Sequence, residues 1–127
     1  MIGGVERHVA LLSSQLALRG HEIIVGTTSM PCSIYGPQKN LRLFHLDGLF
    51  QKIPFLYTDQ NKRFPPPIAD PILSMKLETL IREEKPDIVH THGWILHSLL
   101  AIKKQFKVPI VTTLHGYDLL LSQKKPC

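Results

Sequence analysis

Three histidines stand where a parallel sheet would present them to a ligand. His90 and His92 alternate in the run Val89-His90-Thr91-His92, which stops at Gly93, and His115 closes the run Val111-Thr112-Thr113-Leu114-His115, which stops at Gly116. Strand alternation puts His90 and His92 on one face, and His115 could close on them from the end of a neighbouring strand. Imidazole donates or accepts hydrogen bonds, titrates near neutral pH and ligates metals. Three imidazoles could therefore bind zinc, whereas strand histidines satisfied by hydrogen bonds would serve the core instead.

A second candidate is Gly3-Gly4 at the start of a helix. Two residues without side chains leave backbone N–H groups uncovered at the positive end of the helix dipole, an arrangement that holds phosphate. The same glycines also suit a tight turn. Glu6 and Arg7 in the first helical turn are read either as ligand contacts or as a dipole-stabilising carboxylate and a solvated base. The pattern G-x-G-x-x-G is missing, and the strand ending at Thr27-Thr28 has no acidic residue for a ribose, which disfavours a dinucleotide enzyme. Cys32 has no basic or histidine neighbour and is not read as a nucleophile.

The elements that must position these residues follow from spacing. Between the two histidine-ended runs, Ile95, Leu99, Ile102 and Phe106 form one apolar helical stripe, with Lys103, Lys104 and Lys107 turned to water. The result is a strand-helix-strand unit with two buried strands. Its crossover is right-handed and its strands parallel, so both histidine ends emerge at the carboxyl edge, where open α/β sheets bind ligands. Upstream, Val5, Val9, Leu12 and Leu16 mark a first helix stopped at Gly20, and residues 21–28 and 41–46 read as strands. Residues 47–69 keep no period and contain Pro65-Pro66-Pro67, so they read as a long, mobile surface excursion facing a cleft. Asp70-Pro71 then caps a helix carrying Leu73, Leu77, Leu80 and Ile81, which ends at Lys85-Pro86.

The order is helix, strand, strand, helix, strand, helix, strand. A doubly wound sheet normally begins with a strand that lies at its centre. Only four residues stand where that strand belongs. The expected fold is thus α/β, a Rossmann-like parallel sheet with flanking helices that lacks its first, central strand. The strands ending at Thr28 and near His92 are expected to flank the empty lane.

Bulk properties narrow the function classes. The 127 residues suit one domain, and 43% hydrophobic with 20% charged residues is an ordinary globular balance. The formal charge of +5 would suit a phosphorylated ligand or a peripheral membrane surface. Its densest cluster, Lys103, Lys104 and Lys107, has no interleaved aromatics, so no nucleic-acid partner is expected. Cys32 and Cys127 lie far apart and match no metal or redox spacing, which fits a reducing, cytoplasmic location. No apolar run approaches the roughly 18 to 20 residues needed to span a bilayer.

Four short motifs, GGVERH at 3–8, LALRGHEIIVG at 16–26, KPDIVHTH at 85–92 and VTTLHGYD at 111–118, together resemble the N-terminal domain of family 4 glycosyltransferases. That resemblance implies a GT-B enzyme, two Rossmann-like domains across a cleft, transferring sugar from a nucleotide-sugar donor to an acceptor with retention at the anomeric carbon and without a metal or other cofactor. It implies that Gly3 and Gly4 lie near the donor phosphates and acceptor, with Glu6 close by. His115, followed by Gly116, matches the family's histidine near the donor sugar, and His92 shapes the cleft floor. The resemblance also implies a first strand ahead of Gly3-Gly4 and a C-terminal nucleotide-sugar-binding domain with a Glu-x7-Glu motif, neither of which is in this sequence. The expectation is an incomplete, acceptor-side domain over 1–127, inactive on its own. Two other readings are a noncatalytic binding module and a metalloenzyme built on His90, His92 and His115.

Overall fold

Local sequence sets the first helix and its end. In the computed structural model, which describes residues 4–28, 38–53, 68–93 and 95–115, helix α1 spans Gly4–Leu18. Gly20 takes φ 94°. The His21 N–H then reaches the Leu16 carbonyl at 3.2 Å and the Gly20 N–H that of Ala17 at 3.0 Å. These bonds satisfy carbonyls that the helix end would orphan, through a backbone conformation that glycine adopts without a Cβ penalty. The buried face differs from the expected stripe. Ala10, Ser13 and Ala17 are buried, Val9, Leu12 and Leu16 are half-buried, and Val5 is exposed. Small side chains on the contact line allow close approach, and the larger residues flank it.

Strand β1 (Ile23–Thr27) pairs in parallel with β2 (Leu41–His45), Ile23 opposite Leu41 and Thr27 opposite His45. The Asn40 amide donates from Nδ2 to the carbonyls of Ala17 and His21, both at 2.7 Å, and so ties the helix end to the strand entrance. Val25 at the centre of β1 and Leu46 just after β2 are buried. The first compact unit ends at Asp47, and the second begins at Gly48.

The second unit is organised by Asp70. Its side chain caps helix α2 (Pro71–Glu84), accepting the N–H of Ile72 at 3.0 Å and of Leu73 at 3.2 Å, with Pro71 in the first turn. The apolar face of α2 buries Leu73, Leu77 and Ile81, each stabilising the unit by about 1.5 to 3 kcal/mol. The helix ends where Lys85 takes a left-handed φ of 47° ahead of Pro86. Asp70 also reaches back: Leu49 N–H donates to Oδ1 at 3.0 Å and Phe50 N–H to Oδ2 at 2.8 Å. This corrects the surface-excursion expectation at its start, because those bonds draw down a 3-10 turn (Phe50–Lys52) and bury Gly48 and Phe50. Residues 54–67, including the triple proline, lie outside the described residues.

Strand β3 (Val89–His92) pairs in parallel with β4 (Ile110–Thr113), Val89 opposite Ile110 and His92 opposite Thr113. The crossover helix α3 (Ile95–Leu100) is shorter than its apolar spacing suggests. Ile102 leaves α geometry at φ −110°, ψ 1°, a 3-10 turn follows over Lys103–Gln105, and Phe106 is extended. Leu99 and Ile102 are buried as expected, while Phe106 reaches half-burial from the segment leading into β4. Parallel strands flanked by helices make the arrangement Rossmann-like, and the four described strands form two parallel pairs, β1 with β2 and β3 with β4. Among the described residues, no helix is long and apolar enough to cross a membrane.

Candidate functional site

The parallel register of β3 and β4 gives their pair two unlike faces. Thr91 is buried, and its hydroxyl lies 3.1 Å from that of Thr112 on the facing strand, so the two threonines satisfy each other on the covered side. The other face carries His90, His92, Val111 and Thr113. Here the expectation of two buried strands is corrected: His90 is exposed, and Ile88 and Val111 are 59% and 46% exposed. A β-rich run with apolar ends predicts a strand, but α3 covers only one of its faces.

At the carboxyl end of the pair the histidines converge. Gly93 turns away from β3 with φ 69°, the left-handed conformation that explains a glycine directly after His92. The His92 Nδ1 then stands 3.3 Å from His115 Nε2, with ring centroids 5.6 Å apart. His90 stacks on His92 at 4.3 Å between centroids and 29° between planes. His90 is itself held across the strands, its Nε2 lying 2.7 Å from Thr113 Oγ1. The array therefore runs from Thr113 through His90 and His92 to His115, with His92 and His115 half-buried at its inner end.

This geometry separates the chemical readings of the three histidines. Metal ligands turn ring nitrogens toward a common point. Here His90 turns its face to His92 and its Nε2 to Thr113, and among the described residues no group of three histidine, cysteine or carboxylate side chains is placed to hold an ion. The zinc alternative therefore gains no support from the array. Hydrogen-bonded, partly exposed imidazoles at a carboxyl edge can instead donate to or accept from a polar ligand such as a sugar hydroxyl. An open cleft of about 510 Å³ at the opposite, amino end of the pair, lined in part by Arg82, Lys85 and Lys107, is remote from this chemistry.

The structure thus gathers His92 and His115 and adds His90 to them. Gly4 and Glu6 belong to the first unit, at the start of α1, and both are exposed. A Cβ at Gly4 would meet nothing within 4 Å, and its φ is not positive, so neither packing nor backbone conformation among the described residues demands a glycine there. Gly3 and Gly116 lie outside the described residues. Sequence reasoning missed Thr113 as the anchor of His90. The signal was present, since alternation in Val111-Thr112-Thr113 places Thr113 on the histidine face opposite β3.

Comparison with known proteins agrees with the motifs. The chain matches Glycosyltransferase Family 4 over residues 2–126. It is 33% identical over 121 residues to N-acetyl-alpha-D-glucosaminyl L-malate synthase of Bacillus anthracis, covering 91% of this chain and 29% of that protein. It is 30% identical over 131 residues to glycogen synthase from two strains of Mycobacterium tuberculosis, covering 93% of this chain and 31% of each relative. The chain therefore spans about a third of the length of these curated relatives. A match over nearly every residue, with the histidine-bearing strand ends inside it, shows that the chain belongs to glycosyltransferase family 4.

Proposed function

We propose that this chain forms the acceptor-side part of a retaining glycosyltransferase, in which His115 faces the sugar of a nucleotide-sugar donor. The observation that carries the proposal is the position of His115: just past the carboxyl end of β4, half-buried, with one ring nitrogen engaged by His92. A histidine so placed can hydrogen-bond a sugar hydroxyl or support charge developing at the anomeric centre. In this reading His92 shapes the cleft floor and Gly116 belongs to the substrate site, as do Gly3 and Gly4 near the donor phosphates and acceptor, with Glu6 close by. Among the described residues nothing lies within 4 Å of a Cβ at Gly4, which is compatible with a ligand there.

The names of the relatives differ in what is built, one a malate conjugate and the other glycogen, so the reading stops at the class of reaction and names no acceptor. A first strand and a nucleotide-sugar-binding domain would complete the enzyme in this reading, and without them this part turns over little. The proposal also carries a cytoplasmic location, which fractionation checks. Turnover of a panel of nucleotide-sugars by this chain, alone and with a C-terminal family 4 domain supplied, tests the proposal. Sugar transfer that needs the second domain supports it, and failure of every donor with both parts present counts against it.

A further inference from the structure

The end of α2 and the segment entering β4 leave an open cleft of about 510 Å³ at the amino end of the β3–β4 pair. Its apolar lining is covered to different depths: Ile81 is buried, and Pro86, Phe106 and Val108 are half-buried. Its charged lining is Arg82, Lys85 and Lys107 against one carboxylate, Asp87, all four exposed. Arg82 is already engaged by Glu78, one turn back along α2. Lys85 and Lys107 are not engaged, because among the described residues neither forms an ion pair, even with Asp87 in the same cleft. Lys85 also caps α2 at φ 47°, ψ 58°, a left-handed conformation that usually falls to glycine. The helix dipole accounts for a cation at that end, but not for Lys107, which comes from the segment before β4.

We propose that this cleft binds a small aromatic phosphate. Its volume falls among those of small-molecule sites, roughly 300 to 1,000 Å³, and is too little for a folded partner. Two ammonium groups without carboxylate partners complement a dianion, the charge that a phosphate monoester approaches at neutral pH. The body of the ligand is set by the apolar residues. Phe106 and the rings of Pro86 and Pro109 offer flat surfaces, against which an aromatic ring buries its area while the phosphate stays with the lysines at the open side. Asp87 opposes an anion, so the site favours a ligand that uses both the apolar lining and the lysines over a bare anion. No residue of this cleft belongs to the histidine array, so the proposal stands or falls apart from the donor assignment of His115.

Titration of the 127-residue chain with phenyl phosphate, followed in 1H–15N amide spectra, tests the proposal. Saturable shifts are expected at Lys85, Asp87, Phe106 and Lys107, with a Kd of about 1 mM or below. Inorganic phosphate, which lacks the ring, and benzyl alcohol, which lacks the charge, should each bind at least about ten-fold more weakly. Added salt should weaken phenyl phosphate, because the lysines are exposed. Lys85→Gly removes one cation and relieves the left-handed backbone, so affinity should fall about two- to five-fold while the urea midpoint stays at or above that of the wild type. Lys107→Gln should weaken binding by a similar factor, and the double variant by more than either. Shifts that do not saturate by about 10 mM phenyl phosphate would overturn the proposal. So would inorganic phosphate binding as tightly as phenyl phosphate, unchanged affinity in the double variant, or saturable shifts confined to His92 and His115 at the other end of the strands.

Discussion

Asp70 and His115 show two ways of using a polar side chain. Asp70 is 4% exposed, and its carboxylate accepts four backbone N–H groups, from Leu49, Phe50, Ile72 and Leu73. Its own N–H donates to Ser98 Oγ at 3.0 Å, and Ser74 Oγ donates to the Ser98 carbonyl at 2.8 Å, so α2, α3 and the turn after Gly48 are stitched together around it. Four donors fill the roughly four acceptor sites of a carboxylate, leaving it no capacity for a ligand. The histidine array is the opposite case. It is partly exposed, and the contacts of His90 with Thr113 and of His92 with His115 run between side chains, which can change partners when a ligand arrives. Saturation by main-chain donors builds structure, whereas pairing among side chains at a strand end leaves chemistry available.

Substitutions at both places test this contrast. The largest effect is expected from Asp70→Ala, which strands four N–H groups, at least two of them buried; a loss on the order of 3 kcal/mol in urea denaturation should follow. Asp70→Asn should lose about half of that, and a cost under about 1 kcal/mol for the alanine variant would deny Asp70 its structural role. Next comes His115→Ala in a full-length enzyme. Turnover should fall by roughly 10², or about 2.7 kcal/mol of barrier, while denaturation of the chain shifts by less than about 0.5 kcal/mol. A large stability loss would place His115 with Asp70 after all.

Gly48→Ala is expected to cost about 1 to 3 kcal/mol, because its Cβ would overlap Asp70 Oδ2 and stand 2.8 Å from Cγ. In an Asp70→Ala background that clash disappears, so the double variant should be destabilised by less than the sum of the single ones. The smallest effect belongs to His90→Ala, under about 0.5 kcal/mol, since the ring is exposed. A loss of about 1 to 3 kcal/mol there would mean that the ring behaves as a hydrogen-bonded core group.

What the sequence made legible was local. Asp70-Pro71 announces a capped helix and Gly20 a helix stop, because each signal and its consequence lie within a few residues. Strand alternation likewise put His90 and His92 on one face and allowed His115 to approach them. The second role of Asp70 was hidden, since Leu49 and Phe50 are about twenty residues away and backbone donors leave no trace in residue type. The end of α3 was hidden for another reason. Phe106 keeps helical spacing from Ile102, yet burial of an aromatic can also be reached from an extended chain. Exposure of His90 was illegible because a strand's own residues do not say whether both of its faces are covered.

The pairing of β3 with β4 also sets a waiting time. Val89 and its partner Ile110 are 110 − 89 = 21 positions apart, an interval that a ribosome adding about 5 to 20 residues per second needs roughly 1 to 4 s to cover. Local contacts form in microseconds, so the residues of β3 spend most of that interval without the β4 backbone that they later pair with. A run of valine and isoleucine in that position would be a template for aggregation. His90, Thr91 and His92 make it a polar one. A strand whose central residues are polar offers the wrong neighbour less apolar surface during that wait.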